Sequence, residues 1–175
     1  KKAWEACEKS NLPKFYLDLK YYKKSLLNNS NPYTPAVNLV FALEESLKMM
    51  QEEGLENIFK RHEKHKLAVS NGIKALNLKL FANKHSLSPS ITAIELTEID
   101  AETFRKIIKD KYDILLAGGQ DQLKGKIFRV GHLGYINDRD IMTAISAIGL
   151  ALLEKKIISA EDLGRSLKIT EENLN

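Results

Sequence analysis

The pattern of apolar and polar positions changes period several times along the chain. After Pro35, Val37, Leu39, Val40, Phe41 and Leu43 surround the first turns of a helix that becomes amphipathic further on and stops at Gly54. Thr34 before Pro35 suits an N-cap followed by proline at the first helical position. An apolar front on every side predicts that this front is covered, by another subunit if not by this chain. A second helix is predicted over 55–76, with Leu55, Ile58, Val69, Ile73 and Leu76 on one stripe and Lys60, Lys64 and Lys74 away from it.

Shorter periods follow. Leu78 to Phe81 and Ile91 to Leu96 suit strands, separated by a loop holding Ser86, Ser88 and Pro89. Asp100 is placed to cap a helix carrying Phe104, Ile107 and Ile108. Asp113 to Ala117 and Lys126 to Gly131 then suit strands joined by the loop from Gly118 to Gly125. Asn137, with Asp140 three residues on, caps a long helix through Ile141, Ile145, Ile148 and Leu152. Ser159 with Glu161 and Asp162 starts a short terminal helix carrying Leu163 and Leu167, after which the polar tail is expected to fray. This order predicts an α+β fold, a small and largely antiparallel sheet covered by helices on one face.

Composition narrows the picture. The 27 basic and 23 acidic residues are scattered, without the dense block of a polyanion-binding arm, so no nucleic-acid partner is expected. Cys7 is the single cysteine, which allows no internal disulfide or cysteine-built metal site and suits a cytoplasmic protein. No apolar run approaches the roughly 20 residues of a membrane span. The start, Lys1-Lys2-Ala3-Trp4, has neither Met nor a cap residue, which suggests a start inside a longer protein.

Three features are candidates for chemistry. Arg129 sits between apolar residues in Ile127-Phe128-Arg129-Val130, where a guanidinium needs an anion. That anion is either an Asp or Glu of this chain or a ligand carboxylate, which a planar two-pronged donor fits well. Gly118, Gly119, Gly125, Gly131 and Gly134 crowd the strand ends and would permit close approach by a ligand. Thr34 is either the cap of its own helix or a donor to a phosphate at the helix N-terminus. His62 and His65 share one side of the second helix, but nothing at a recognisable spacing completes a metal site, and none is expected. His85 and His132 have no supporting partners as catalytic groups.

The runs Asn11-Leu12-Pro13-Lys14-Phe15-Tyr16-Leu17-Asp18-Leu19, Asn31-Pro32-Tyr33-Thr34-Pro35-Ala36-Val37-Asn38-Leu39 and Gly54-Leu55-Glu56-Asn57-Ile58 resemble class V pyridoxal-phosphate-dependent aminotransferases of the alanine–glyoxylate/serine–pyruvate type. Leu116-Ala117-Gly118-Gly119-Gln120 and Gly125-Lys126-Ile127-Phe128-Arg129-Val130-Gly131-His132-Leu133-Gly134 are similar to the same family in the same order. The resemblance implies the C-terminal small domain of a fold-type I enzyme. It implies that 1–33 is a connecting helix and linker, 34–156 the small domain, and 157–175 a short terminal helix and tail.

The resemblance also implies roles. Arg129 would bind the α-carboxylate of the amino or 2-oxo acid substrate, and Thr34 would donate to the cofactor phosphate of the other subunit of a homodimer. Asn31 stands where some relatives carry a tyrosine as a second phosphate donor, so that contact is not expected. The Schiff-base lysine and the aspartate on the pyridine nitrogen would lie upstream of Lys1, leaving no catalytic residue in this chain and no activity in it alone. The implied reaction moves an amino group from alanine or serine to glyoxylate or pyruvate. Two other readings stand beside it: the soluble hydrogenase subunit whose name some relatives bear, and a non-catalytic interaction domain that kept the fold.

Overall fold

A computed structural model of the chain describes residues 1–83 and 85–175. The elements are α1 (Lys2–Lys9), α2 (Leu19–Leu27), α3 (Val37–Glu53), α4 (Leu55–Ala75), β1 (Lys79–Leu80), β2 (Ile91–Glu95), α5 (Ala101–Tyr112), β3 (Ala117–Gly118), a 3-10 turn (Asp121–Leu123), β4 (Ile127–Gly131), α6 (Asp138–Glu154) and α7 (Ala160–Leu174). They fall into two units, Lys1–Glu52 and Glu53–Asn175. α3 falls almost wholly in the first unit, and α7 belongs to the second.

In the first unit no residue of α1, α2 or α3 is buried. Asp18 caps α2 by accepting from the Lys20 N–H. The loop between α2 and α3 is held by aromatic packing, with the Tyr16 and Tyr33 rings 4.7 Å apart and the Tyr33 hydroxyl donating to the Phe15 carbonyl at 2.9 Å. The front of α3, expected to be covered, is exposed within this chain: Leu39 keeps 71% and Phe41 64% of its surface.

The second unit is built on an antiparallel sheet of order β1-β2-β4-β3. Directly opposed residues of antiparallel strands share a face. The register sets Leu80, Ile94, Phe128 and Gly118 in one row, and Lys79, Glu95 and Ile127 in the next. The first row faces the helices. Ile94 and Phe128 are fully buried with Phe104 of α5, Ile73 of α4 and Ile148 of α6, and the Phe104 and Phe128 rings lie 5.3 Å apart. This is the expected α+β architecture, with three of the four strands where short runs had predicted them. Asp113 does not start a strand. It closes α5 in the left-handed conformation (φ 55), its N–H donating to Lys109 O, and pairing begins only at Ala117.

The terminal helix is longer than its sequence suggests. Ser166, Thr170 and Leu174 of α7 are buried, so the tail does not fray. The Ser166 hydroxyl donates to Gly72 O at 2.8 Å and the Thr170 hydroxyl to Ser166 O at 2.8 Å. Gly72 is required because a side chain there would run into the Thr170 hydroxyl. Polar residues that look solvent-facing are thus the packing face of α7 against α4.

Candidate functional site

Arg129 lies at the centre of β4, opposite Ala93 of β2 and Ala117 of β3, on the sheet face away from the helices. Alternation along the strand forces this: Phe128 and Val130 are committed to the core, so Arg129 must point the other way. Its two lateral neighbours are alanines, which leave room beside the guanidinium. The Arg129 Nε donates to Gly118 O at 2.9 Å. Among the described residues no Asp or Glu forms an ion pair with it. Of the two partners considered for this cation, an internal carboxylate is therefore ruled out among those residues.

Arg61 and Arg105 show what internal pairing looks like here. Arg61 grips Glu53 with two bonds, Nε at 2.6 Å and Nη2 at 2.8 Å, and donates from Nη1 to the carbonyls of Gly134 and Ile136 at 2.9 and 3.1 Å. The hydrogen bond from Arg61 holds the Glu53 carboxyl below its usual range. Arg105 pairs with Glu102 and donates to Leu116 O. Nothing in the sequence pattern around Arg61 marked it, because its partners lie across a turn and in a distant loop.

Three of the glycines near Arg129 have a packing reason within the fold. A side chain at Gly118 would collide with Glu102 and Arg105, one at Gly119 with the Leu123 carbonyl, and one at Gly125 with Asp100. Only Gly131 and Gly134 have open space or ordinary contact around them. At Gly118, Gly119 and Gly125 packing within the fold accounts for the glycine.

Thr34 belongs to the first unit and does not cap its helix. The first α-helical bond runs from Val40 N–H to Ala36 O at 3.1 Å, so Ala36 occupies the cap position and Pro35 lies outside the helix. A Pro35 carbonyl that accepts from Val37 N–H at 2.9 Å closes a tight turn there and displaces the helix start. Thr34 lines an open hollow with Ser30, Asn31, Pro32, Tyr33 and Pro35. Its hydroxyl has no hydrogen-bond partner among the described residues, which leaves it able to donate to an anion.

The rings of His132, His65 and His62 are held by groups of this chain. His132 is fully buried, with Nδ1 3.1 Å from Pro89 O and Nε2 2.9 Å from the Thr92 hydroxyl. A carbonyl only accepts, so the proton sits on Nδ1 and Nε2 accepts from Thr92. Burial drives its pKa down to about 4. His65 is also buried and lies 2.9 Å from Asp138 Oδ1, with its own pKa lowered, chiefly by burial. Burial alone would raise Asp138, but its bonds to Lys64 and His65 outweigh that and keep it below the usual range. His62 bonds the Ile58 carbonyl. No group of His, Cys, Asp and Glu among the described residues is arranged to hold a metal ion.

The chain is 52% identical over 153 residues to a protein named soluble hydrogenase, small subunit, from Synechococcus sp. (strain PCC 6716), covering 87% of this chain and 40% of that one. It is 42% identical to an uncharacterised aminotransferase of Methanocaldococcus jannaschii and 34% identical to an L-aspartate–glyoxylate aminotransferase of Paracoccus denitrificans, each over 87% of this chain and about 40% of the relative. Its homologues are class V aminotransferases. The ureidoglycine–glyoxylate aminotransferase of Bacillus subtilis superposes with a TM-score of 0.83 at 30% identity, over 95% of this chain and 44% of that one. The alanine–glyoxylate aminotransferase of Nostoc sp. superposes with a TM-score of 0.78 at 25% identity, over 86% and 41%. The α+β fold matches the C-terminal domains of these aminotransferases, and the chain spans about 40% of the length of the curated relatives it matches. No protein-family model matches it. No helix among the described residues is long and apolar enough to cross a membrane.

Proposed function

We propose that this chain is the C-terminal part of an aminotransferase that moves an amino group from alanine or serine to glyoxylate or pyruvate. The observation that carries the reading is Arg129: a half-buried guanidinium oriented by one backbone carbonyl, with no carboxylate of its own among the described residues. A substrate α-carboxylate offers the two parallel acceptors that such a fork lacks. The glyoxylate aminotransferases among the homologues support the substrate class.

Pyridoxal phosphate, when bound, supplies the electron sink that makes transamination possible. The residues present fit its phosphate: the Thr34 hydroxyl is unpartnered among the described residues, and the start of α3 offers a partial positive charge. We assign Thr34 to the cofactor of a partner subunit in a homodimer, with the exposed apolar front of α3 as part of the covered surface. We assign the cofactor lysine and the pyridine-nitrogen aspartate to a part of the protein outside this chain, so the chain alone is inactive. Lys124 and Lys126 are exposed beside the loop before β4 and have no such setting. A single cysteine and scattered charge agree with a cytoplasmic enzyme acting on small molecules. The hydrogenase name borne by some relatives finds no chemistry here, since one cysteine cannot supply the thiolate sets that iron–sulfur clusters need.

Arg129→Ala in the full-length protein should raise KM for the amino acid and cut kcat/KM by about a hundredfold, the loss of roughly 3 kcal/mol of charged hydrogen bonding. An unchanged KM would sink the carboxylate reading. It would favour instead an interaction domain that uses the apolar face of α3, and in that protein a cofactor absorbance band shifted by alanine would be missing.

A further inference from the structure

We infer that Arg105 is a positioning residue for Arg129, acting through β3 and resting on the reading of Arg129 as the substrate-carboxylate anchor. β3 has two residues and pairs on one side, with Ala117 opposite Arg129 and Gly118 opposite Phe128. So short an edge strand has few ladder bonds to fix its height, and the contacts from α5 do it instead. The Arg105 Nε donates to Leu116 O at 2.7 Å, immediately before β3, while its Nη1 is held by Glu102 Oε2 at 2.6 Å. The same Glu102–Arg105 pair lies against Gly118, close enough that any side chain there would strike both. Glu102 Oε1 is buried without a partner, an atom that this packing keeps in place despite the cost of leaving it unpaired.

The opposite side of the same backbone segment does the orienting. Gly118 O accepts from Arg129 Nε, which uses the inner donor of the fork and leaves the two Nη groups directed elsewhere, with no partner among the described residues. A guanidinium has five donors in fixed geometry, so fixing Nε fixes where the remaining pair can meet a carboxylate. Carboxylate geometry at Arg129 is therefore set from the helix side of the sheet: Glu102 holds Arg105, Arg105 holds Leu116, and Gly118 holds Arg129. Arg105 touches neither substrate nor cofactor in this arrangement.

The test uses the full-length holoenzyme and compares L-alanine with ethylamine, which is alanine without its carboxylate, following the change in cofactor absorbance in a single half-reaction. Arg105→Gln should lower kcat/KM for L-alanine about tenfold, mostly through KM, and leave ethylamine within about twofold. Arg105→Lys, which keeps a cation opposite Glu102, should recover part of the loss. Glu102→Gln supplies an independent variant if Arg105→Gln does not fold, and should move the same ratio in the same direction. Equal effects on both amines, or a lower melting temperature with an unchanged alanine-to-ethylamine ratio, would overturn the inference. Arg129→Ala separates the two levels: if it abolishes the preference for alanine while the Arg105 and Glu102 variants keep it, the inference alone fails. If Arg129→Ala itself keeps the preference, the carboxylate reading fails and the inference with it.

Discussion

The two units of this chain have similar amphipathic helices and opposite fates. In Glu53–Asn175, α4, α5, α6 and α7 close a core over a four-stranded sheet, and several polar groups inside it, Ser166, Thr170 and His132 among them, have partners. In Lys1–Glu52 the helices bury nothing, although α3 is as apolar at its front as any helix of the core. The difference lies in what each helix meets. Hydrophobic pattern sets which side of a helix seeks cover, but stability comes only when another surface removes that side from water. The chain's two proposed ligand contacts divide in the same way: Arg129 stands on a sheet with a buried core behind it, whereas Thr34 stands on a segment whose helices bury no residue.

This contrast can be tested by substitution and by pH. The largest effect is expected from Phe128→Ala, which empties the contact between sheet and α5 and should cost about 3–5 kcal/mol in urea unfolding. A loss below about 1 kcal/mol would mean the second unit lacks the tight core described.

Next comes acid. His132 is held neutral with a folded pKa of about 4, against about 6.5 in an unfolded chain. Between those values the unfolded chain takes up a proton that the folded chain refuses, so stability is full above pH about 6.5 and falls as the pH drops, by up to ~3 kcal/mol near pH 4. The lowered pKa of His65 acts in the same direction. Unfolding free energy measured against pH should be shallower in His132→Asn, and an identical slope in both proteins would remove His132 as the cause.

The smallest effect is predicted for Phe41→Ala at the exposed front of α3, within about 0.5 kcal/mol for the chain by itself. The same change should weaken subunit association of the full-length protein, measured by sedimentation. A large loss of stability in the isolated chain would show that α3 is already covered within it.

Much of the second unit was legible because its signals are local. Asp100 and Asn137 cap α5 and α6 as their spacing predicts, and Asn137 with Asp140 completes the reciprocal box. Arg129 stood out as a cation set between apolar strand residues, and the resemblance implied a role for it. The full length of α7 was not legible, since Ser166 and Thr170 are buried by a close approach of two helices at Gly72, which is a long-range event. The purpose of Gly118, Gly119 and Gly125 was misjudged for the same reason: the atoms they make room for come from α5, the loop before it and the 3-10 turn.

By itself the sequence determined the period of each segment, the caps that start the later helices, and the α+β order that follows from them, because these depend on residues within a turn or two of one another. Only the tertiary structure decided which charges are paired. Arg61 meets Glu53 and a distant loop, Arg105 meets Glu102 and Leu116, and Arg129 meets, among the described residues, a single backbone carbonyl. Pairing depends on distances of a few ångströms between elements far apart in the chain, which only the folded packing of sheet and helices sets.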